Sequence, residues 1–331
     1  MTSYDDDLAA LHALDALEPD EQADAELRLG TFPAQLSDAA AALAELAATT
    51  PPTDLRADVL ATARARRAPG RPVDGIEGCT PHEAFVRTIS DLHGLLESLN
   101  DAEWAATAHP EHGSVHDLIA HLIGLERLSC RWLDPDDSVP EMLDHVSSTL
   151  DVVAELSSAR PDELIAQWQT AASAVADAAA AGDRERRITF HDITTSVDGF
   201  LSMRTFELWA HAMDIASATG RPIPELDPER MTTMSARLMA AVPMALAYRR
   251  STALDRTASF VLTGSSGGSY TVALDPRSEV GEPDVTIVVD TIDLCRVAAR
   301  RLLPRDLSAT IIGDRDLADL VLAGLDAFAR D

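Results

Sequence analysis

The sequence predicts a mainly α protein with three parts: a small N-terminal helical domain, a four-helix bundle and a small C-terminal α+β domain. Aromatic residues make up only 4% of the 331 residues, although 46% are hydrophobic. The cores must therefore be built from Ala, Leu, Val and Ile, which favours closely packed helices. Strand-like alternation begins only near residue 257. A chain of this length has room for two or three domains.

Residues 1–67 predict the small helical domain. Leucines recur every three residues from Leu8 to Leu17, which indicates the buried face of a first helix. Prolines stand at or just before the start of three further helices, where the missing N–H group costs nothing. Residues 68–80 are rich in glycine and proline and have no periodicity, so we interpret them as a linker.

Residues 81–225 predict the four-helix bundle. Thr80 is a suitable N-cap and Pro81 a suitable first residue for the opening helix. Gly220 and Pro222 are stop signals for the last helix. The helical regions are expected at about 80–100, 115–133, 140–180 and 204–222.

Residues 226–331 predict the α+β domain. A helix is expected at about 227–247. Residues 257–273 then alternate around the turn sequence GSSGG, which is the pattern of a β-hairpin. Two further strands, at about 284–289 and 307–312, are interspersed with helices at about 293–302 and 314–328.

Charge and cysteine usage restrict the class of protein. The formal net charge of −28 excludes a general surface for a nucleic-acid backbone and favours basic protein partners. The three cysteines, Cys79, Cys130 and Cys295, form no C-x-x-C pair, which excludes a cysteine zinc site and argues against a disulfide framework. No apolar run reaches the ~18 residues of a membrane span, and the acidic start is unlike a signal peptide. We therefore expect a soluble, cytoplasmic protein.

Three side chains that could build a metal site share one stripe of the predicted 204–222 helix. Glu207, His211 and Asp214 are spaced by four and three residues, so they are neighbours on the helix surface. The helix is strongly apolar, so we expect this stripe to face inward. A carboxylate and an imidazole that converge are two thirds of a catalytic zinc site, which keeps one position open. A solvated Glu–His pair is the alternative interpretation.

A second predicted helix, at 115–133, supplies the candidate third ligand. Bundles build metal sites from side chains on facing helices, and His121 lies on this helix. Asp117, four residues before His121 on the same face, is the candidate carboxylate that orients its imidazole. Asp214 is assigned the same orienting role beside His211.

Other histidines are not expected to bind the metal. His116 lies roughly 140° around the helix from His121 at ~100° per residue. His109 and His112 fall in the loop before that helix, where they could line an entrance, although solvent exposure is the expectation. His191 is interpreted as a loop residue, with contact to a substrate as the alternative.

Three motifs resemble those of a known family. They are LNDAEW (99–104), VHDLIAHL (115–122) and RTFELWAHAMDIASATG (204–220). Together they resemble the mycothiol-dependent maleylpyruvate isomerase family, which belongs to the DinB-like metal-binding bundles, and the resemblance extends from residue 81 to residue 331. It implies zinc ligation by His121, Glu207 and His211 and a C-terminal domain of the sterol-carrier type. One departure is Ser114, which stands where the family commonly has an aromatic residue.

The resemblance also implies a role for an arginine of the C-terminal domain. The segment DLCRVAARRL (293–302) is similar to the family's helix that ends in Arg near the pocket. Arg301 takes that place, which implies a catalytic residue that holds a carboxylate of the thiol or of the substrate. The alternative is an arginine at the C-terminus of the helix that interacts favourably with the negative end of the helix dipole.

The N-terminal segments ALHALDALEPDEQADAELRL and PPTDLRADVLATA resemble the N-terminal domain of anti-sigma factors. Many of those domains bind zinc, but the matching positions here are Arg28, Phe32 and Gln35. None of these side chains binds zinc, so the resemblance implies a metal-free version. A sigma factor is then a candidate partner of residues 1–67. An extra helical cap or a dimerisation element is the alternative.

Metal and thiol chemistry together give the leading functional interpretation. A thiol bound to Zn²⁺ loses its proton near neutral pH and becomes a nucleophile, and a His/carboxylate site also accepts Ni²⁺ or Fe²⁺. The resemblance implies mycothiol as the thiol. We therefore expect a zinc-dependent thiol S-transferase or isomerase that acts on a small electrophile. The alternatives are an anti-sigma-type transcriptional regulator whose bundle senses metal or thiol, and a structural metal bundle.

Overall fold

The computed structural model describes residues 77–137, 145–190, 193–264 and 266–328. These residues belong to one compact unit, and they are mainly α with one larger sheet near the C-terminus. The predicted helical domain at 1–67, its resemblance to anti-sigma factors, most of the predicted linker and His191 lie outside the described residues. None of the described helices is both long and apolar enough to cross a membrane.

The first half of the described chain is a helical bundle. Helix α1 packs on α5 and α6, and α3 packs on α5 and α4; the helices are α1 (Pro81–Glu97), α2 (Asp101–Trp104), α3 (Val115–Leu133), α4 (His145–Glu155), α5 (Pro161–Ala181) and α6 (Val197–Thr219). Two short antiparallel hairpins connect them. Strand β1 (Thr107–His109) pairs with β2 (Gly113–Ser114), and β3 (Arg187–Phe190) pairs with β4 (Ile193–Ser196).

Local capping explains where the bundle helices begin and end. Thr80 and Glu83 form a capping box at the start of α1, which satisfies two backbone N–H groups that have no partner inside the helix. Ser196 caps α6 by accepting a hydrogen bond from the Gly199 N–H group. This helix therefore begins seven residues before the predicted start at residue 204. It ends at Gly220, whose φ of 67° is the left-handed conformation that favours glycine.

The long helical region predicted at 140–180 contains two helices. Helix α4 ends at Glu155, and α5 begins at Pro161 with the Glu163 side chain accepting from the Arg160 N–H group. Because proline has no N–H group to donate to a preceding helical turn, one helix ends before Pro161 and a new helix begins there.

The second half is an α+β arrangement, as the sequence predicts. A four-stranded sheet has the order β6-β5-β7-β8, with β5 antiparallel to β6, parallel to β7, and β7 antiparallel to β8. The elements are α7 (Pro228–Tyr248), β5 (Thr257–Thr263), β6 (Gly268–Ala273), β7 (Val285–Asp290), α8 (Thr291–Ala298), β8 (Ala309–Gly313) and α9 (Arg315–Gly324), with short 3₁₀ turns at Pro304–Asp306 and Leu325–Phe328.

Helix α6 is shared between two hydrophobic cores. Leu208 and Ile215 pack into the bundle core, whereas Trp209 and Met213 pack into a second core formed with α7 and the sheet. A helix that is apolar all round is buried on all sides, so polar side chains on α6 must have partners inside the protein. This constraint positions the candidate site.

We expect Gly313→Ala to lower the free energy of unfolding by at least about 2 kcal/mol. Gly313 has a φ of 98°, and a Cβ atom there would lie 2.4 Å from the Asp284 carbonyl oxygen, so the substitution adds backbone strain to a steric clash. Chemical denaturation measures the change. The matched control is Gly94→Ala in α1, where nothing lies within 4 Å of the new atom. Gly94→Ala should stabilise the protein by up to about 1 kcal/mol. Equal effects of the two substitutions on the free energy of unfolding would contradict the strain and clash inferred at Gly313.

Candidate metal centre and cavity

Three buried histidines from separate elements converge inside the bundle. Ring nitrogens of His112, His121 and His211 all lie within 4.8 Å of one another. The His112 ring stacks on His121 with 4.0 Å between centroids, and His211 stands nearly perpendicular to both rings. His112 lies in the turn between β1 and β2, His121 in α3 and His211 in α6. The structure therefore brings together two of the three predicted ligands, with a third imidazole beside them.

His211 is oriented by a carboxylate that an arginine holds in place. Its Nδ1 atom lies 3.1 Å from Asp214 Oδ2. Arg301 donates to the same carboxylate, from Nε to Oδ1 at 2.9 Å and from Nη2 to Oδ2. Burial raises the pKa of Asp214, but the hydrogen bonds from His211 and Arg301 together outweigh it and lower the pKa to about 2. Asp214 thus occupies the position expected of an orienting partner.

His121 is oriented by a residue that the sequence analysis did not consider. Its Nδ1 atom lies 2.7 Å from the Oγ1 atom of Thr149, a buried residue of α4. Because the Nδ1 atoms of both His121 and His211 are engaged in this way, Nε2 is the ring nitrogen that each histidine could offer to a metal. Thr149 lies 28 residues from His121 in sequence, so only tertiary packing reveals the pair.

The structure corrects the role assigned to Asp117. Its carboxylate closes the N-terminus of α3, accepting from the Ser114 hydroxyl at 2.7 Å and from the Ser114 N–H group at 3.2 Å. The partner of His121 Nδ1 is Thr149 instead. A short acidic side chain three residues after a serine satisfies the helix end locally, and this local interaction determines where Asp117 points.

The expectation that His109 and His112 are exposed is wrong. Both are buried, with 8% and 7% of their surface accessible, because β1 and β2 fold the loop back against the bundle. His109 stacks on His112 with 4.7 Å between centroids, and its Nδ1 atom accepts from the Glu111 N–H group. The sequence signal that could have indicated burial of both histidines is their H-x-x-H spacing just before α3.

Glu207, the third predicted ligand, lies beside the cluster within a buried ionic group. Its carboxylate accepts from Nη1 of Arg204, whose Nη2 donates to Glu126 at 2.5 Å. Arg204 and Glu126 are 3% and 0% exposed, whereas Glu207 reaches solvent. Burial raises the pKa of Glu126; it also lowers that of Arg204, but the two carboxylates outweigh this and raise it.

A cavity of about 500 Å³ lies beside the imidazoles and reaches both cores. Glu207 and His211 of α6 contribute to its wall, and so do Arg237 of α7 and Arg301, which follows α8. Most of the remaining wall is apolar. Arg301 is therefore placed near the predicted pocket, although its Nε and Nη2 atoms are directed at Asp214 and its Nη1 atom donates to the Ala299 carbonyl oxygen.

The Asp214 interaction predicts an acid dependence of stability in the metal-free protein. A carboxyl whose pKa falls from 3.8 unfolded to about 2 folded stabilises the fold above about pH 4 and loses that contribution as the pH falls towards 2. Asp214→Asn should therefore lower the free energy of unfolding by about 2 kcal/mol at pH 7, and the deficit should shrink below pH 4. Denaturant titrations at several pH values measure it, with Asp319→Asn on the exposed side of α9 as the control. A deficit that does not change with pH would contradict the prediction.

Comparison with known proteins identifies the relatives of this arrangement. Residues 85–216 match the family model "Mycothiol maleylpyruvate isomerase N-terminal domain". The uncharacterized protein Rv0738 of Mycobacterium tuberculosis is 32% identical over 151 residues, which cover 45% of this chain and 72% of that protein. Rv0036c of the same organism, also uncharacterized, is 23% identical over 146 residues, which cover 42% of this chain and 57% of that protein. The chain thus spans little more than half the length of that second relative.

Two solved structures are also similar. They are crystal structures of the mycothiol-dependent maleylpyruvate isomerase and of a point mutant of it, each with 16% identity and a TM-score of 0.48. Each match covers 70% of this chain and 91% of the solved one. The residues matched by the family model contain His112, His121 and His211, together with Glu207 and Asp214. The chain therefore belongs to the mycothiol maleylpyruvate isomerase family through residues 85–216.

Proposed function

We propose that the chain is a metal-dependent enzyme that uses a low-molecular-weight thiol of the mycothiol type to isomerise, or to transfer the thiol to, a small electrophile. The observation that carries the proposal is the convergence of three buried imidazoles, one of which also forms part of the wall of a 500 Å³ cavity. Family membership supports the thiol, since the family's name refers to mycothiol.

The donor set fits a divalent transition metal, and we propose zinc. Imidazole nitrogens suit Zn²⁺, Ni²⁺ and Fe²⁺, and the rings of His121 and His211 are held by Thr149 and Asp214 with the Nε2 atoms available to bind. Three protein ligands leave a coordination position for a small molecule, as in catalytic zinc sites. A divalent cation bound there would lower the pKa of a thiol enough to yield a thiolate near neutral pH.

The chain's own residues would orient the reactants and exclude water. Asp214 and Thr149 fix two imidazole rings, and Arg301 fixes Asp214. The apolar cavity wall keeps the electrophile beside His211 and away from bulk water, which strengthens electrostatic interactions at the site. We propose Arg301 as a positioning residue, because three of its nitrogen atoms bond Asp214 and Ala299.

The structure supports His112 as the third ligand over Glu207. His112 already lies against His121, whereas Glu207 would have to leave Arg204 to bind the same ion. Breaking that contact would leave Arg204, which is 3% exposed, paired with Glu126 alone, and a buried N–H donor that loses its acceptor is costly. In this arrangement Glu207 is not a ligand. Its carboxylate forms part of the cavity wall beside the three imidazoles.

Zinc affinity should rank the candidate ligands. His121→Ala and His211→Ala should weaken zinc binding more than about a hundredfold, because loss of an outer partner alone costs ten- to a hundredfold. His112→Ala should cost more than Glu207→Gln, as measured by competition with a zinc chelator. His93→Ala, in α1 beside Glu97, is the matched control. A larger loss for Glu207→Gln would restore the His121, Glu207 and His211 set that the sequence predicts.

Thiol activation gives a second, independent test. N-acetylcysteine added to the zinc-loaded protein should be deprotonated below pH 7, against an ordinary thiol pKa of about 8.5, as measured by the thiolate absorption. His211→Ala should abolish the shift. A thiol that titrates at the same pH with and without the zinc-loaded protein would rule out metal-assisted thiol activation.

A further inference from the structure

The cavity wall is mostly apolar and belongs to a space large enough for more than a compact polar molecule. Five aromatic residues contribute to it, Trp132, Phe190, Phe200, Phe206 and Tyr248. Its volume of about 500 Å³ falls within the range of pockets that enclose a drug-sized ligand. A small, fully polar substrate would leave most of this wall against water, at a cost proportional to the exposed apolar area.

Helix α7 supplies one continuous side of this wall. Met234, Leu238, Ala241 and Ala245 follow one another at intervals of three and four residues, so they lie on one face of the helix. Arg237 stands on the same face and also lines the cavity. The arginine is therefore continuous with an apolar surface.

Charge balance sets Arg237 apart from the two other arginines of the wall. Arg204 is paired with Glu126 and Glu207, and Arg301 is paired with Asp214. Arg237 makes no hydrogen bond or ion pair with any residue in the described ranges. Arg237 is exposed to solvent, so the cavity wall offers one water-accessible arginine that has no carboxylate partner among the described residues.

We infer that the electrophile carries a single carboxylate, held by Arg237, on an extended apolar body that lies along α7 and the aromatic residues. Arginine binds carboxylates through paired N–H donors, and the rest of the wall suits hydrocarbon or an aromatic ring. The inference rests on the proposed function and names the substrate class for that same cavity. It makes Arg237, instead of Arg301, the residue that recognises the anion.

Calorimetric binding to the whole 331-residue chain, free of metal, tests the inference without any reaction. The probes are decanoate below its micelle concentration, 1-decanol as its neutral counterpart, and maleate as a small dianion. Decanoate should bind about tenfold or more tighter than decanol, as a charge-assisted hydrogen bond contributes, and tighter than maleate. Tighter binding of maleate, or equal binding of decanoate and decanol, would overturn the inference.

Substitutions place the bound carboxylate. Arg237→Gln should weaken decanoate binding at least about tenfold while decanol binding stays unchanged, and Arg237→Lys should retain part of the affinity. Arg305→Gln, at a residue that is 79% exposed and outside the cavity wall, is the matched control and should have no effect. Ala241→Phe, which narrows the cavity, should weaken decanoate more than butanoate. Decanoate binding insensitive to Arg237→Gln would contradict the assignment.

The outcome separates this inference from the proposed function. Zinc affinity and thiol deprotonation are measured in the absence of the carboxylate probes, so they can hold while decanoate binding fails. In that case the enzyme proposal stands and the substrate class is wrong. If decanoate binding depends on Arg237 but the protein binds no zinc, the enzyme proposal is wrong. The cavity is then a binding site for amphipathic anions.

Discussion

The site depends on one carboxylate, Asp214, which bridges an imidazole of the bundle and an arginine of the α+β part. Its low pKa, about 2, keeps it ionised across the neutral range. It can therefore accept hydrogen bonds from His211 and Arg301 at the same time. Because α6 is buried by two cores, His211 has little freedom to find another partner. A ring fixed at Nδ1 in this way presents Nε2 to a metal.

A second buried ionic group lies beside the first and has a different physical character. Glu126, Arg204 and Glu207 link α3 to α6, and two of the three are almost fully buried. Moving such charges out of water costs several kcal/mol per ion, so a buried pair is weak evidence for stability alone. Its consequence here is to fix the Glu207 carboxylate on the cavity wall. The imidazole cluster and the cavity therefore share helix α6, on which Arg204, Glu207, His211 and Asp214 all have polar partners.

The sequence predicts well what local chemistry controls. The caps at Thr80 and Gly220 and the strand pattern after residue 257 depend on neighbouring residues, and the structure has them. The i, i+3 spacing of His211 and Asp214 likewise leads directly to their hydrogen bond. The start of α6 was placed too late because its first two turns, from Val197, carry no strong periodic signal.

Features that depend on tertiary packing could not be read from the sequence. Thr149 reaches His121 only because α4 packs on α3. His112 is buried because a short hairpin folds the loop inward. Asp117 shows the opposite error, since a helical-face argument placed it beside His121 whereas a local cap with Ser114 holds it. Arg204 could be predicted as a neighbour of Glu207, but the contact with Glu126 on another helix could not.

The most direct test of this account is the zinc affinity of Arg301→Gln, measured by chelator competition beside Arg301→Lys. Arg301 is placed outside the ligand set and acts only through Asp214. Loss of an outer-shell partner weakens metal binding by ten- to a hundredfold, so Arg301→Gln should fall in that range and Arg301→Lys should recover part of the affinity. Wild-type zinc affinity in Arg301→Gln would show that the Asp214 bridge does not control the metal site.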